Sequence, residues 1–191
     1  MENIKDNFNN EIFKIEAKSL LQDLMLNTIL FQYYRNIDTE KINKIIDYIK
    51  NIFNEYHKLK QLHILTYCND KTLYGYSLSF IHNKINGLYL HKIHVNEQYR
   101  NRGIGTSILK ALQNENCKIT LLCLKKKEKF YIKNGFHYVK PFPMLNYENY
   151  KLSRKIYNGL SLMSNNKEKN DISIFLLKDI DINNIANILK I

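Results

Sequence analysis

The chain has 191 residues, 45% of them hydrophobic, 12% aromatic and 25% charged, which excludes a disordered chain and fits one globular domain that buries roughly 70% of its unfolded surface. Its three cysteines, Cys68, Cys117 and Cys123, are odd in number and lack Cys-x-x-Cys or Cys/His spacing, so neither a disulfide framework nor a bound metal is expected; no apolar run approaches the roughly 20 residues of a membrane helix either. The formal net charge of +11 is concentrated, because residues 61–140 carry 13 basic and 4 acidic side chains while residues 1–60 carry 9 of each, and such a field attracts phosphates.

In chain order, residues 11–16 (EIFKIE) read as a short first strand by their alternation. Ser19 and Gln22 form a capping-box pattern heading a first helix with Leu20, Leu21, Leu24, Met25 and Ile29 at helical spacing. A second helix follows Asp38 and Thr39, with Ile42, Ile45, Ile46, Ile49, Ile52, Phe53 and Tyr56 forming one apolar stripe. From residue 61 the period changes to two, and residues 63–67, 72–81 and 88–95 read as three strands of an antiparallel meander. Residues 104–114 are helical, 118–124 (KITLLCL) form a strand covered on both faces, and 126–134 are helical until Gly135. Residues 136–139 are a further strand, 141–171 a long loop holding Pro141, Pro143, Tyr147, Tyr150 and Tyr157, and 172–177 a last strand before an amphipathic helix at 182–190. The expectation is a mixed α/β fold, a single domain over 1–191 with its core at about 11–140 and a six- to seven-stranded sheet carrying helices on both faces.

The segment with chemical character is the turn between strand 88–95 and helix 104–114: Arg100, Asn101, Arg102, Gly103, Ile104, Gly105 and Thr106. A glycine-containing strand-to-helix turn offers backbone N–H groups at the positive end of a helix dipole, where a phosphate can sit. Arg100 and Arg102 add full charges, and Gly103 and Gly105 lack a Cβ that would keep an anion away. There is no G-x-G-x-x-G after the first strand and no G-x-x-x-x-G-K-[ST], so two common nucleotide-binding motifs are excluded. Glycines that merely turn the chain remain the plain alternative.

About 25 residues downstream lies Lys129-Phe130-Tyr131-Ile132-Lys133-Asn134-Gly135-Phe136. R-x-x-G-x-G after a strand, then a strand, then F-Y-x-K-x-G-F, resembles the GNAT superfamily of acetyl-coenzyme A dependent N-acetyltransferases. The resemblance implies that the amides of Arg100 to Thr106 hold the coenzyme diphosphate. It also implies that the pantetheine arm pairs with Ile93, His94 and Val95 as an added strand, with an amide near Ile93 or His94 polarising the thioester carbonyl. Tyr131 matches the family's general acid: a phenol of pKa about 10 is protonated at neutral pH and can donate to a departing thiolate whose conjugate acid has a pKa of about 8 to 9.

The position at which many family members carry a glutamate base is His91, either a relay for the proton of the ammonium or a histidine on the sheet surface. His63 and Glu97 are weaker candidates for that base. On a regular strand His91 and His94 point to opposite faces and form no metal pair. The short connection CLKKKEKFY into Tyr131 looks like that of the glucosamine-phosphate N-acetyltransferases, although His91, Lys92 and Leu124 stand where that branch has acidic residues. Lys125, Lys126, Lys127 and Lys129 either meet a phosphate or form a solvated face.

The implied function is acetyl transfer from acetyl-CoA, as cosubstrate and without a metal, to a primary amine such as glucosamine 6-phosphate. The alternatives are a protein N-terminus or lysine as acceptor, or a GNAT-like module that binds coenzyme A with little turnover. The implied partners are acetyl-CoA and the amine, with homodimerisation left open, no membrane, and no nucleic acid because no DNA- or RNA-reading motif occurs. Three cysteines without pairing signals place the protein in a reducing compartment, the cytoplasm with the nucleus left open.

Overall fold

The computed structural model describes residues 3–27, 30–31, 37–82, 86–115, 117–142, 148–167 and 174–189. Two compact units are present: Met1–Asn9, His57–Phe142 and Gly159–Phe175 form one, and Asn10–Tyr56, Pro143–Asn158 and Leu176–Ile191 the other.

The second unit is helical and takes in helix α1 from Asn10 onward. Helix α1 is Asn3–Asn27, so residues 11–16 are helix and not the strand expected from their alternation. The buried Ile12, Phe13, Ala17, Leu20, Leu21 and Leu24 recur every three or four residues, and this longer period overrides an alternation of only six residues. Ser19 therefore lies inside a helix rather than capping one. Ile29, expected on the same face, lies outside the described residues. Helix α2, Thr39–Lys58, buries Ile45, Ile46, Ile49 and Phe53, and the Phe13 and Phe53 rings stack with centroids 5.9 Å apart. Tyr157, buried in this unit, accepts the Leu177 N–H at 3.2 Å through its hydroxyl.

The first unit holds a six-stranded mixed sheet in the order β1-β2-β3-β4-β6-β5, where β1 is Leu62–Cys68, β2 Leu73–His82, β3 Gly87–Val95, β4 Lys118–Leu124, β5 His137–Pro141 and β6 Leu160–Ser164. β1, β2 and β3 are the expected antiparallel meander. β3 and β4 are parallel and joined through helix α3, Ile104–Gln113, because parallel neighbours need a crossover rather than a hairpin. β6 pairs antiparallel with both β4 and β5.

Among the described residues the last strand thus lies at 160–164, inside the expected long loop. Gly159, at φ +76°, turns the chain into β6. Residues 174–177 form no strand, and 172–173 lie outside the described residues. Phe175 instead stacks on Phe80 of β2, centroids 4.2 Å apart and rings within 5° of parallel; side-chain burial, not backbone pairing, claims this apolar run.

One face of the sheet packs on α3 and on the short helix α4, Glu128–Lys133. Leu88, Leu90, Ile119, Leu121, Cys123 and Met163 meet Ile108, Leu109, Leu112 and Phe136 in one cluster. Gly75, Ser77 and Ser79 of β2 share that face, and their small size lets α3 approach closely: a Cβ on Gly75 would lie 3.3 Å from the Ile104 side chain. Ile104 itself is buried, so the helix is seated on the sheet from its first residue.

Candidate active site in the gap between two parallel strands

β3 and β4 pair only from Gly87 opposite Lys118 to Leu90 opposite Leu121. Beyond that point residues 91–95 stay with β2 and residues 122–124 stay with β6, leaving a wedge in which β3 and β4 no longer pair with each other. His91 marks the cause. Leu78 faces Lys92 while Ser79 faces Leu90, so His91 is an extra residue in β3, and such a bulge bends and twists its strand.

The bulge also corrects the expectation that His91 and His94 point to opposite faces. The His91 ring lies edge-on to Phe80 at 5.8 Å and to Phe175 at 5.4 Å. The His94 ring stacks on Tyr76 at 5.2 Å. Tyr76 and Phe80 are an even number of residues apart on one strand, so both histidines share the face away from α3. Burial lowers the His91 pKa to about 3, helped by the nearby Lys92 ammonium. Burial also lowers that of His94, although its Nε2 lies 3.0 Å from Asn96 Oδ1. Both rings are neutral at pH 7.

Asn96 N–H donates to the Tyr74 carbonyl at 2.9 Å. By the alternation of an antiparallel ladder, the main-chain groups of His94 then face β2, and those of Ile93 and Val95 face the gap. The Val95 carbonyl there accepts the Arg100 Nε–H at 3.1 Å, so Arg100 ties the turn to the end of β3. Its Nη1 lies 3.5 Å from the Glu97 carboxylate. The Arg102 guanidinium sits 5.6 Å above the Tyr99 ring, which is held edge-on by Tyr74 at 4.7 Å.

The turn itself presents main-chain donors. Asn101 at φ +63° and Gly103 at φ +80° adopt the left-handed conformation. The first hydrogen bond of α3 runs from Ser107 N–H to the Gly103 carbonyl at 3.0 Å, and the Gly103 N-cap has no side chain to offer. Among the described residues, none of the N–H groups from Asn101 to Thr106 has an acceptor. These donors at a helix N-terminus can receive an anion.

The two glycines have different reasons. A Cβ on Gly103 would meet nothing within 4 Å, so its backbone angle alone demands glycine. A Cβ on Gly105 would lie 3.4 Å from the Phe130 ring and 3.9 Å from Val95. The bare side of Gly105 therefore faces α4, which corrects the expectation that it faces an anion.

Tyr131 lies on α4, packed against the core cluster. Gly135, at φ +85°, ends the helix. The Phe136 N–H reaches back to the Tyr131 carbonyl at 3.1 Å and the Gly135 N–H to the Ile132 carbonyl at 3.1 Å. The Phe136 and Tyr131 rings meet at 5.8 Å. This is a Schellman stop with its hydrophobic contact, so much of Y-x-K-x-G-F is a device for ending a helix at a set place. Burial pushes the Tyr131 phenol well above its ordinary pKa, and the Cys123 thiol adds to the effect. The phenol is a proton donor and not a base at neutral pH. Burial and the Glu128 carboxylate raise the Cys123 thiol to about 11, which keeps it a thiol rather than a nucleophilic thiolate.

The remaining candidates are placed elsewhere. His63 Nε2 lies 3.5 Å from Glu115, beyond the C-terminal end of α3 and so at the opposite end of that helix from the turn. Glu97 is highly exposed beside Arg100. Lys125, Lys126 and Lys127 form an exposed 3₁₀ turn directly after β4, with Lys129 exposed on α4. Tyr150 closes a 3₁₀ turn in the helical unit, and Tyr147 lies outside the described residues. The partners that sequence reading missed are Gly75, Glu128, Ser161 and Phe175. Only Gly75 left a trace, in the run of small residues on one face of β2.

A family model described as an acetyltransferase (GNAT) domain matches residues 60–138. No curated protein matches the chain. An N-acetyltransferase from Staphylococcus aureus Mu50 is 19% identical, with 83% of this chain and 94% of that one covered and a TM-score of 0.56. The PaiA N-acetyltransferase of Thermoplasma acidophilum, solved with coenzyme A, is 17% identical over 79% of this chain and 92% of that one, with a TM-score of 0.45. A spermidine N-acetyltransferase variant from Vibrio cholerae is 16% identical over 62% and 72%, with a TM-score of 0.46. The first likeness shows a shared fold, and nothing further follows from the two lower scores.

Proposed function

The chain carries a GNAT acetyltransferase domain, an acyltransferase that uses acetyl-CoA as its cosubstrate, and from that premise we propose that the wedge between β3 and β4 is where the acetyl group passes to a primary amine. The observation that carries this reading is the run of N–H groups without acceptors from Asn101 to Thr106, next to the stretch where β3 and β4 no longer pair with each other. Acetyl-CoA supplies a thioester open to attack by an uncharged amine, and its departing sulfur needs a proton.

In this reading the amides of residues 101–106, with Arg102, hold the diphosphate. Arg100 braces the turn through Val95 while adding charge beside it. The main-chain groups of Ile93 and Val95 that face the gap pair with the pantetheine arm, and the Ile93 N–H polarises the acyl carbonyl. His94 contributes through its place in the strand, since its own main chain faces β2. Tyr131 donates the proton to sulfur, and its raised pKa keeps that proton in place until it is needed. His91 receives no role as base: an imidazole whose conjugate acid has a pKa of about 3 is far too weak an acceptor to deprotonate an alkylammonium ion. The amine therefore reaches the site as its neutral fraction.

For the acceptor we propose an amine that also bears an anion, with glucosamine 6-phosphate as the first compound to try. Lys92 lies opposite Leu78, on the sheet face away from α3, and the 3₁₀ turn of three lysines follows β4. Cations at these places favour such an acceptor over a polycation. Free cysteines fit a reducing, cytoplasmic setting.

The test measures thiol release from acetyl-CoA with glucosamine 6-phosphate and with short peptides bearing a free N-terminus or lysine. Acetyl-CoA at 100 times its dissociation constant should add about 2.7 kcal/mol of stability, and Tyr131→Phe should lower kcat by about 100-fold with that binding unchanged. Turnover with peptides alone would remove the sugar phosphate, and coenzyme binding without any turnover would reduce the protein to a coenzyme A binding module.

A further inference from the structure

Helix α4 is six residues long, too short to hold itself together in water. Its orientation is set by what ties it down. Its C-terminal end is fixed by the Schellman stop at Gly135 and by Gln113 of α3, whose Nε2 donates to the Asn134 carbonyl at 2.8 Å. At its N-terminal end the N-cap residue, Lys127, makes no side-chain capping bond. The tie there is Glu128, the first helical residue, whose carboxylate accepts the hydroxyl proton of Ser161.

Ser161 is well chosen as an anchor. It lies in β6, opposite Cys123 of β4 and Pro141 of β5, so it is part of the sheet interior and not of an edge. It is only 6% exposed. A buried hydroxyl held by a carboxylate is roughly twice as strong a bond as a neutral pair, and losing one partner leaves the other unsatisfied. Glu128 and Tyr131 are three residues apart and so share one face of α4. Rotating the helix to break the first contact must swing the second residue as well.

We infer that the Glu128–Ser161 hydrogen bond is a positioning device for Tyr131, fixing the rotation of α4 about its axis so that the phenol is aimed at the gap between β3 and β4. This rests on the reading of Tyr131 as the proton donor. The carboxylate touches neither reacting atom; it acts through the helix.

The experiment compares Ser161→Ala, Glu128→Leu and Glu128→Gln, each alone and combined with Tyr131→Phe, by steady-state kinetics of thiol release. Ser161→Ala and Glu128→Leu should lower kcat by about 10- to 100-fold, the scale of an ångström-sized misplacement, with the KM for acetyl-CoA within about twofold. Glu128→Gln, which still offers an oxygen to Ser161, should keep most of the activity. In the Tyr131→Phe background the same changes should cost nothing more, because the group they aim is gone. A role in stability alone would lower activity equally in both backgrounds, and that result, or an unchanged kcat in the single variants, overturns the inference. Full activity of Tyr131→Phe by itself would instead overturn the proton-donor reading and this inference with it. Where Glu128→Leu fails to fold, Ser161→Ala decides.

Discussion

His91 carries the bulge that opens the gap, and its ring is enclosed by Phe80, Tyr89 and Phe175. Its Nδ1 has no solvent contact, although the residue as a whole keeps part of its surface. The folded protein keeps this ring neutral down to about pH 3, whereas an unfolded chain protonates it near pH 6.5. Between those values only the unfolded state takes up the proton, so the stabilisation is full above pH 6.5 and is lost as pH falls toward 3. The loss from this group approaches about 1.4 kcal/mol per pH unit at most, less the share that partial exposure screens. His91→Leu should therefore flatten the acid limb of stability, measured by urea unfolding at pH 7 and pH 4.5. Parallel curves for the two proteins would show that the ring does not titrate as described. The sequence marked this position through its spacing from Val95, yet the ring's environment depends on Phe175, 84 residues away, which no local pattern announces.

At the scale of elements, three close approaches build the wedge. The bulge parts β3 from β4, the small residues of β2 seat α3, and Gly105 admits the Phe130 ring of α4. Gly75 is the tightest of these, since a Cβ there would come within 2.7 Å of the His94 carbonyl and 3.3 Å of Ile104. Gly75→Ala should cost about 1 to 3 kcal/mol, as overpacking does, and should weaken acetyl-CoA binding because Ile104 begins the helix that presents the amides. Gly103→Ala should cost about 1 to 2 kcal/mol through its left-handed backbone alone, with no side-chain clash. Thermal unfolding with and without acetyl-CoA separates the two, and unchanged coenzyme affinity in Gly75→Ala would disconnect β2 from the site. Most elements could be read from period: α2, the meander, α3 and β4 all appear where spacing puts them. The exceptions have two causes. Residues 11–16 and 172–177 looked like strands because short apolar runs do not distinguish a strand from other buried backbone, while β6, with serine at two of its five positions, lacked the apolar signal of a buried strand.

Across the whole molecule the excess of 29 basic over 18 acidic side chains is concentrated in the segment that forms the sheet, the turn and α4. A field of this sign draws anionic substrates and is screened by salt over about 10 Å at 0.1 M. The KM for a phosphate-bearing amine should therefore rise severalfold between 50 and 500 mM sodium chloride, while that for an uncharged-tail amine of similar size should change little. Equal responses would mean that the charge serves the coenzyme alone. Among the described residues no helix is long and apolar enough to cross a membrane.

The order of chemical groups along the chain was set by the sequence alone: a strand, a glycine turn with two arginines, a helix, an apolar strand, and a tyrosine followed by a helix-ending glycine. These are local features, and local backbone preference writes them directly into residue type and spacing. The opening of the gap, the neutral state of His91, the contact of Gly105 with Phe130 and the tie from Glu128 to Ser161 were decided only by tertiary structure. Each joins residues remote in sequence, and a hydrogen bond or a pKa depends on distance and burial, which no spacing along a chain specifies.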